Sequence, residues 1–334
     1  MKSSDKGRNV SRTGNRCDTV TVPETALGRG ESLMRILVTG SNGLIGSALV
    51  KVLRSRGDEV LRLVRDGAKG RDCVGWNPEG GQVDAARLEA LDAVVHLAGE
   101  NVGTRRWTKA VKGRIINSRT KGTALLAETL ARLESAPKVL VSASAVGYYG
   151  NSGSAVVEEK APQGDTFLAG VCAAWEAAAD PARAAGIRVV HPRFGVVLDR
   201  AGGALGRMLP VFRAGLGGRL GDGRAWMSWV TLNDAVSALA TCLQEGGPSG
   251  AVNIVSPNPV TNAEFTRMLA RALRRPAVLP VPEAVIRIVF GEMGRELLLA
   301  SVRAKPARLE QWGFRFSRPE IGGALREVLD TGGG

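Results

Sequence analysis

"MRILVTGSNGLIGSALVKVLRSRGDEVLRLVRDG", residues 34–67, decides how this chain is read. "RILVT" is a short apolar run, the mark of a buried strand. "GSNGLIG" follows, and "SALVKVLRSRG" then carries a buried stripe at helical spacing and closes at Gly57. "EVLRLVR" is a second strand, so the stretch is a βαβ unit with glycines at its first turn. Gly40 permits a sharp turn, Gly43 lets the backbone approach a pyrophosphate, and Gly46 lets the helix pack closely on the strand. Amides at the helix start are free to bind phosphate charge. The spacing is G-x-x-G-x-x-G, not the G-x-G-x-x-G of the standard dinucleotide fingerprint. The order of elements therefore carries the inference, with a structural turn that holds no ligand as the alternative. The candidate contacts at this turn are Gly40, Asn42, Gly43, Leu44, Ile45 and Gly46.

The end of the second strand chooses the dinucleotide. An acidic residue there holds a ribose 2′-hydroxyl, whereas an arginine accommodates a 2′-phosphate. Arg65 stands at that point, with Asp66 just behind it. This favours NADP over NAD, the alternative for Arg65 being an ordinary solvated charge. "LDAVVHLAG" is the next strand, and its end, Leu97, Ala98 and Gly99, is placed to run under the ribose on the nicotinamide side. "PKVLVSASAVG" and "GIRVVHPRFGVVL" are further strands. Strands alternating with helices predict an α/β fold, a Rossmann-type doubly wound parallel sheet with the site at the carboxyl ends. Residues 34–200, with later returning segments, are expected to form the nucleotide-binding domain. Residues 201–330 are expected to form a smaller α/β substrate lobe and a C-terminal helical domain.

Composition excludes several classes. The net charge is +13, of which residues 1–33, with six Lys/Arg and four Asp/Glu, hold only +2. A basic surface attracts nucleic acid or phosphorylated ligands. No basic cluster is interleaved with aromatics, which make up only 4% of the chain, so a small-molecule substrate is expected and a nucleic-acid partner is not. No apolar run approaches the roughly 20 residues of a membrane span, and the most apolar late stretch, residues 284–302, reads as amphipathic helix packed on the domain. Cys17, Cys73, Cys172 and Cys242 lie far apart, which argues against zinc and disulfides and for a reducing cytoplasm. His96 and His191 sit in apolar strand runs and read as core residues, so no metal is expected. Residues 1–33 lack apolar periodicity and read as a disordered extension. Asp5, Asp18, Glu24 and Glu31 count against a targeting peptide, and Met34 reads as a second possible start of translation. The sequence carries no signal for oligomeric state.

"TGSNGLIG", "VVHLAGE" and "VSASAVGYYG" resemble the short-chain dehydrogenase/reductase superfamily in its extended, sugar-epimerase-like form. "LAGENVGTRRWTKAVKGRIINSR", "FLAGVCAAWEAAA", "GGALGRMLPVFRAGLGGRLGDG" and "WMSWVTLNDA" narrow the resemblance to its atypical epimerase-family branch. Residues from Asn258 onward resemble the small domain of unknown function that ends those proteins. The resemblance runs from Met34 to about Leu329 and implies that Gly40, Gly43, Gly46, Val64, Arg65, Leu97, Ala98 and Arg119 line an NADP site. Arg119, near the end of the helix "WTKAVKGRIINSR", is a cation within reach of a phosphate, or else a surface arginine.

Catalytic relatives combine Ser, Tyr and Lys. Ser144 fits the serine position, but Leu168 and Cys172 occupy the Tyr-x-x-x-Lys positions, and neither can do that work. Tyr148 and Tyr149 are the only tyrosines. One of them, Tyr148 first, is a candidate proton donor aided by Ser144; both also fit packing over a cofactor. Glu100, Lys109, Glu159, Glu176 and Cys172 are further candidates, and a nucleotide-binding protein without turnover is the third reading. Trp175 and Cys172 read as buried residues of one alanine-rich helix. In the glycine-rich lobe, Arg207, Arg213, Arg219 and Arg224 suit a carboxylate or phosphate, which points to an anionic or nucleotide-sugar-like carbonyl substrate.

Overall fold

Alternation along the first strand sets the layers. In β1 (Arg35–Thr39), Ile36 and Val38 enter the apolar core on one side of the sheet and Leu37 the core on the other. A strand covered on both faces belongs inside a parallel sheet. The computed structural model describes residues 33–65 and 70–330, so residues 1–32 of the expected extension, Cys17 and Asp66 lie outside the described residues.

From β1 the chain runs through α1 (Leu44–Ser55) to β2 (Glu59–Arg65), parallel to β1, then to β3 (Cys73–Asn77) and a short antiparallel β4 (Gln82–Val83). It returns to the far side of β1 as β5 (Ala93–His96). The long α2 (Lys109–Leu130) leads to β6 (Val139–Ser142), β7 (Ser144–Ala145) and a 3-10 turn at Val146–Tyr149. After β8 (Val156–Val157), α3 (Phe167–Ala177) and α4 (Asp180–Ala184) bring the chain to β9 (Arg188–Phe194). Then follow β10 (Val196–Leu198), α5 (Gly203–Arg213), β11 (Trp226–Met227), β12 (Trp229–Thr231) and α6 (Leu232–Leu243), before β13 (Gly250–Ile254) rejoins the sheet. The sheet order is β13-β9-β6-β5-β1-β2-β3-β4, with β7 on β9. Because β2 and β5 flank β1, the connections diverge there and leave a crevice at its carboxyl end. Leu49, Leu53 and Leu239 of α1 and α6 pack in one core, and Leu126, Leu130 and Ala182 of α2 and α4 in the other.

The rest of the chain adds β14 (Val260–Thr261), α7 (Asn262–Leu273), α8 (Glu283–Phe290), α9 (Glu292–Leu297), β15 (Arg303–Ala304), α10 (Ala307–Gln311) and α11 (Ile321–Asp330). Trp229, Leu205, Phe212, Phe265 and Leu269 form its core. Thr231 caps α6 by accepting from the Asp234 amide, and Thr261 caps α7 by accepting from the Glu264 amide. Among the described residues the return bond of a capping box, from Thr261 N–H to Glu264, is not made. The apolar stretch near the end breaks at Gly291, where φ is +60, into two helices. It packs inward through Ile286 and Met293, while Val285, Ile288 and Val289 stay exposed, so only one edge of it is core.

Candidate cofactor cleft and active site

The glycines work by backbone contact. Gly40 turns with φ +65, and a Cβ there would lie 2.8 Å from the Leu97 carbonyl. A Cβ on Gly46 would lie 2.3 Å from the Gly40 oxygen, so α1 reaches the turn only because position 46 is bare. Gly43 N–H donates to Gly40 O at 2.9 Å, and Gly43 then forms an N-cap that offers no side chain. The first bond of the ladder runs from Ser47 N to Gly43 O. The amides of Leu44, Ile45 and Gly46 precede it and lack intrahelical acceptors. Asn42 and Gly43 are exposed, and the buried Ser41 hydroxyl beside them has no partner among the described residues. Bare amides, a positive helix end and an orphaned hydroxyl in a cradle left bare of Cβ atoms at positions 40, 43 and 46 fit a diphosphate.

The end of β5 is held by a four-residue arrangement that sequence reasoning missed. Thr39 Oγ1 accepts from the amides of Leu97 and Ala98, each at 3.1 Å. Its proton is left to donate to His96 Nδ1, 2.7 Å away. His96 is therefore a neutral acceptor, and burial pushes its pKa down to about 4. The pair "VVHL" and "LVTG" held the signal, a polar residue closing each of two buried strands. Gly99 sits against Arg119, whose guanidinium carbon would be 3.4 Å from a Cβ there. Arg119 lies mid-way along α2, not near its end as the sequence suggested, because the helix runs on through Gly122, which packs under Trp76. The Arg119 guanidinium lies 4.8 Å from the Trp175 ring centre, donates to Ile115 O and has no ion pair among the described residues. Burial lowers its pKa. Arg65 is exposed at the end of β2, also without an ion pair among the described residues, and Val64 beside it is half-buried.

Past β6 the polar groups are tied to one another. Ser144 Oγ donates to Glu176 Oε1 at 2.6 Å. Arg193, on β9, grips both Glu176 oxygens at 2.8 and 2.9 Å and donates to the Tyr149 hydroxyl at 3.0 Å. Tyr149 in turn donates to Asn253 Oδ1 on β13 at 2.7 Å, and Asn253 N–H donates to Glu159 Oε1 at 3.0 Å. Burial works against the Arg193 charge, but Glu176 and Tyr149 outweigh it and its pKa is raised. Burial also raises that of Tyr149, with Arg193 partly offsetting it. Tyr149 is thus fixed in the core. Tyr148 is half-buried, its ring 3.5 Å under the Arg193 guanidinium, and its hydroxyl makes no hydrogen bond among the described residues. Ser144 is not brought into hydrogen bonding with Tyr148; its proton goes to Glu176. Leu168 and Cys172 do pack on the turn at Gly147, where the resemblance placed the Tyr-x-x-x-Lys pair, and burial pushes the Cys172 thiol up to about 11. Arg193 and Asn253 were not anticipated. A charged residue inside the buried run "VVHPRFG" was the available sign.

The lobe arginines do not converge. Arg207 donates to Gly103 O and ties α5 to the loop after β5, Arg224 pairs loosely with Asp222 at 3.9 Å, and Arg213 and Arg219 are exposed. Leu44 of the cradle packs at 3.4 Å from Cβ positions on Gly202 and Gly203. Glu296 of α9 accepts the amides of Phe167 and Leu168, and Glu292 pairs with Lys112 at 2.9 Å, so the C-terminal helices hold the N-terminal ends of α2 and α3.

This fold and cleft define a Rossmann-type α/β protein of the atypical short-chain dehydrogenase/reductase kind. Residues 36–255 match the NAD dependent epimerase/dehydratase family, and residues 281–328 match a domain of unknown function, DUF1731. The chain belongs to the NAD dependent epimerase/dehydratase family. It is 46% identical to Epimerase family protein Mb2239 of Mycobacterium bovis over 290 residues, 87% of this chain and 96% of that protein. The crystal structure of human epimerase family protein SDR39U1 (isoform 2) with NADPH superposes with a TM-score of 0.81 at 38% identity, covering 89% of this chain and 99% of that one. That of the nucleoside-diphosphate sugar epimerase from Corynebacterium glutamicum gives 0.74 at 34% identity, covering 89% of this chain and 58% of that one.

Proposed function

We propose that this protein binds NADP(H) and uses it as an oxidoreductase or epimerase on a small anionic or nucleotide-sugar-like carbonyl compound. The carrying observation is the cradle at Gly40, Gly43 and Gly46, with uncapped α1 amides at its rim. The NADPH in the similar human structure supports the same reading. Arg65 favours the 2′-phosphate form, and Asn42, Leu44, Ile45, Val64, Leu97, Ala98, Gly99 and Arg119 complete the proposed contacts. Residues 34–200 with β13 would hold the cofactor and residues 201–330 the substrate. Among the described residues no helix is long and apolar enough to cross a membrane, and the free buried cysteines suit a reducing cytoplasm.

When bound, the nicotinamide supplies or accepts a hydride. The chain's part is then to move one proton at the substrate oxygen. Tyr148 is the residue assigned that role, because its hydroxyl is uncommitted whereas that of Tyr149 is bonded on both sides. Ser144, its own proton held by Glu176, can accept from the hydroxyl form of the substrate and does not donate to the carbonyl form. A second reading, a nucleotide-binding protein without turnover, is favoured by that same commitment of Ser144 and by Ser152, not a lysine, standing four residues after Tyr148. Calorimetry with NADPH and NADH, followed by NADPH oxidation against aldehydes, ketones and nucleotide sugars, separates them. Heat with NADPH and turnover that Tyr148→Phe removes is expected. Heat without turnover selects the second reading, and no heat with either nucleotide refutes both.

A further inference from the structure

A cavity of about 550 Å³ lies in the C-terminal lobe, apart from the cleft. Arg219, Arg267 and Arg275 line it, together with Thr266 and a proline-rich segment, residues 276–280. The chain builds it from three directions. Arg267 and Thr266 stand on α7, where Ala263 and Ala270 leave room at the same helical stripe. Arg274 ends that helix in the left-handed region, φ 52, and Arg275 and the proline segment follow it past α7. Val281 N–H donates to Arg219 O at 2.8 Å, which brings the third arginine to the same rim.

Two independent features mark the cavity as a ligand site. First, no carboxylate lines it, and none of the three guanidinium groups has an ion pair or hydrogen bond among the described residues. Like charges gathered at one cavity repel, and an anion among them reverses that cost. Second, the Thr266 hydroxyl is buried and unpartnered. Thr120, Thr129 and Thr241, also on helices, each donate to the carbonyl four residues back, at 3.1, 2.7 and 3.1 Å. Thr266 does not, although a buried hydroxyl without a partner is unfavourable. The cavity shares no residue with the glycine cradle, the end of β5 or the Ser144–Arg193 group.

We propose that this cavity is a second binding site, for a small organic phosphate with a planar or apolar body. The guanidinium forks and Thr266 take the phosphate oxygens, and Pro276, Val278 and Pro280 take the body. Phenyl phosphate titrated into the full-length protein tests it by calorimetry. Arg267→Ala with Arg275→Ala should weaken binding by at least about ten-fold. Thr266→Val, which keeps the side-chain shape, should weaken it several-fold with an unchanged unfolding midpoint. Arg132→Ala with Lys138→Ala removes as much charge from a distant exposed surface and should leave binding within about two-fold. The proposal is overturned by absence of binding at about 10 mM, by unchanged affinity in either cavity variant, or by equal losses in the two double variants.

Discussion

Replacing Gly46 by alanine tests the cradle most directly. The new methyl carbon would stand 2.3 Å from the Gly40 oxygen, 2.9 Å from its carbonyl carbon and 3.0 Å from the Ser41 Cα, all backbone atoms. No side chain is there to swing aside, and ordinary contact needs about 3.4 Å, so turn and helix must separate by about 1 Å. Overpacking of this kind costs about 1–3 kcal/mol of stability. The same shift carries amides out of hydrogen-bond range of a bound phosphate, since a 2.9 Å bond lengthened by about 1 Å is no longer one. Each charge-assisted bond lost is worth about 1.5–3 kcal/mol, so loss of one or two weakens NADPH by about 10- to 10⁴-fold. Gly43→Ala is the companion: its methyl meets only Gly40 O, at 3.2 Å, on an exposed residue. It should leave stability almost unchanged and still weaken binding, because an exposed methyl at the N-cap crowds the α1 amides proposed to hold the diphosphate. Fluorescence titration of NADPH and urea unfolding of both variants supply the readings. Gly46→Ala binding NADPH within about three-fold of the parent, at unchanged stability, would refute the reasoning.

Arg65→Ala should weaken NADPH about ten-fold or more and leave NADH nearly unchanged; equal losses would remove Arg65 from a 2′-phosphate site. Tyr149→Phe strips partners from buried Asn253 and Arg193 and should cost about 1–3 kcal/mol in urea unfolding. Tyr148→Phe should stay within about 0.5 kcal/mol, and reversal of that order would overturn the assignment of the two tyrosines. His96 gives a pH dependence. Its folded pKa of about 4 lies below the unfolded value near 6.5, so acid favours the unfolded chain. Its contribution is complete above about pH 6.5 and is lost on acidification at about 1.4 kcal/mol per pH unit, down to about pH 4. Urea midpoints at about pH 6.5 and pH 5 should differ less in His96→Gln than in the parent; an unchanged difference would mean that His96 is not held neutral.

The sequence by itself determined the frame. The apolar run in "RILVT", helical spacing in "SALVKVLRSRG" and three glycines at the turn specify a parallel βαβ unit because each is a local signal, written in neighbouring residues. His96, Trp175 and Cys172 were legible as core for the same reason. What only the tertiary structure decided is which polar groups meet. Arg193 finds Glu176 on α3, Tyr149 on the turn after β7 and, through that hydroxyl, Asn253 on β13; these partners stand 17, 44 and, from Tyr149, 104 residues apart. The lobe arginines show the converse: residues close in sequence point to Gly103, to Asp222 or to a separate cavity. Propensity and periodicity act over a few residues, whereas a buried charge is satisfied by whichever strand the sheet order sets beside it, and that order is a property of the whole packed chain.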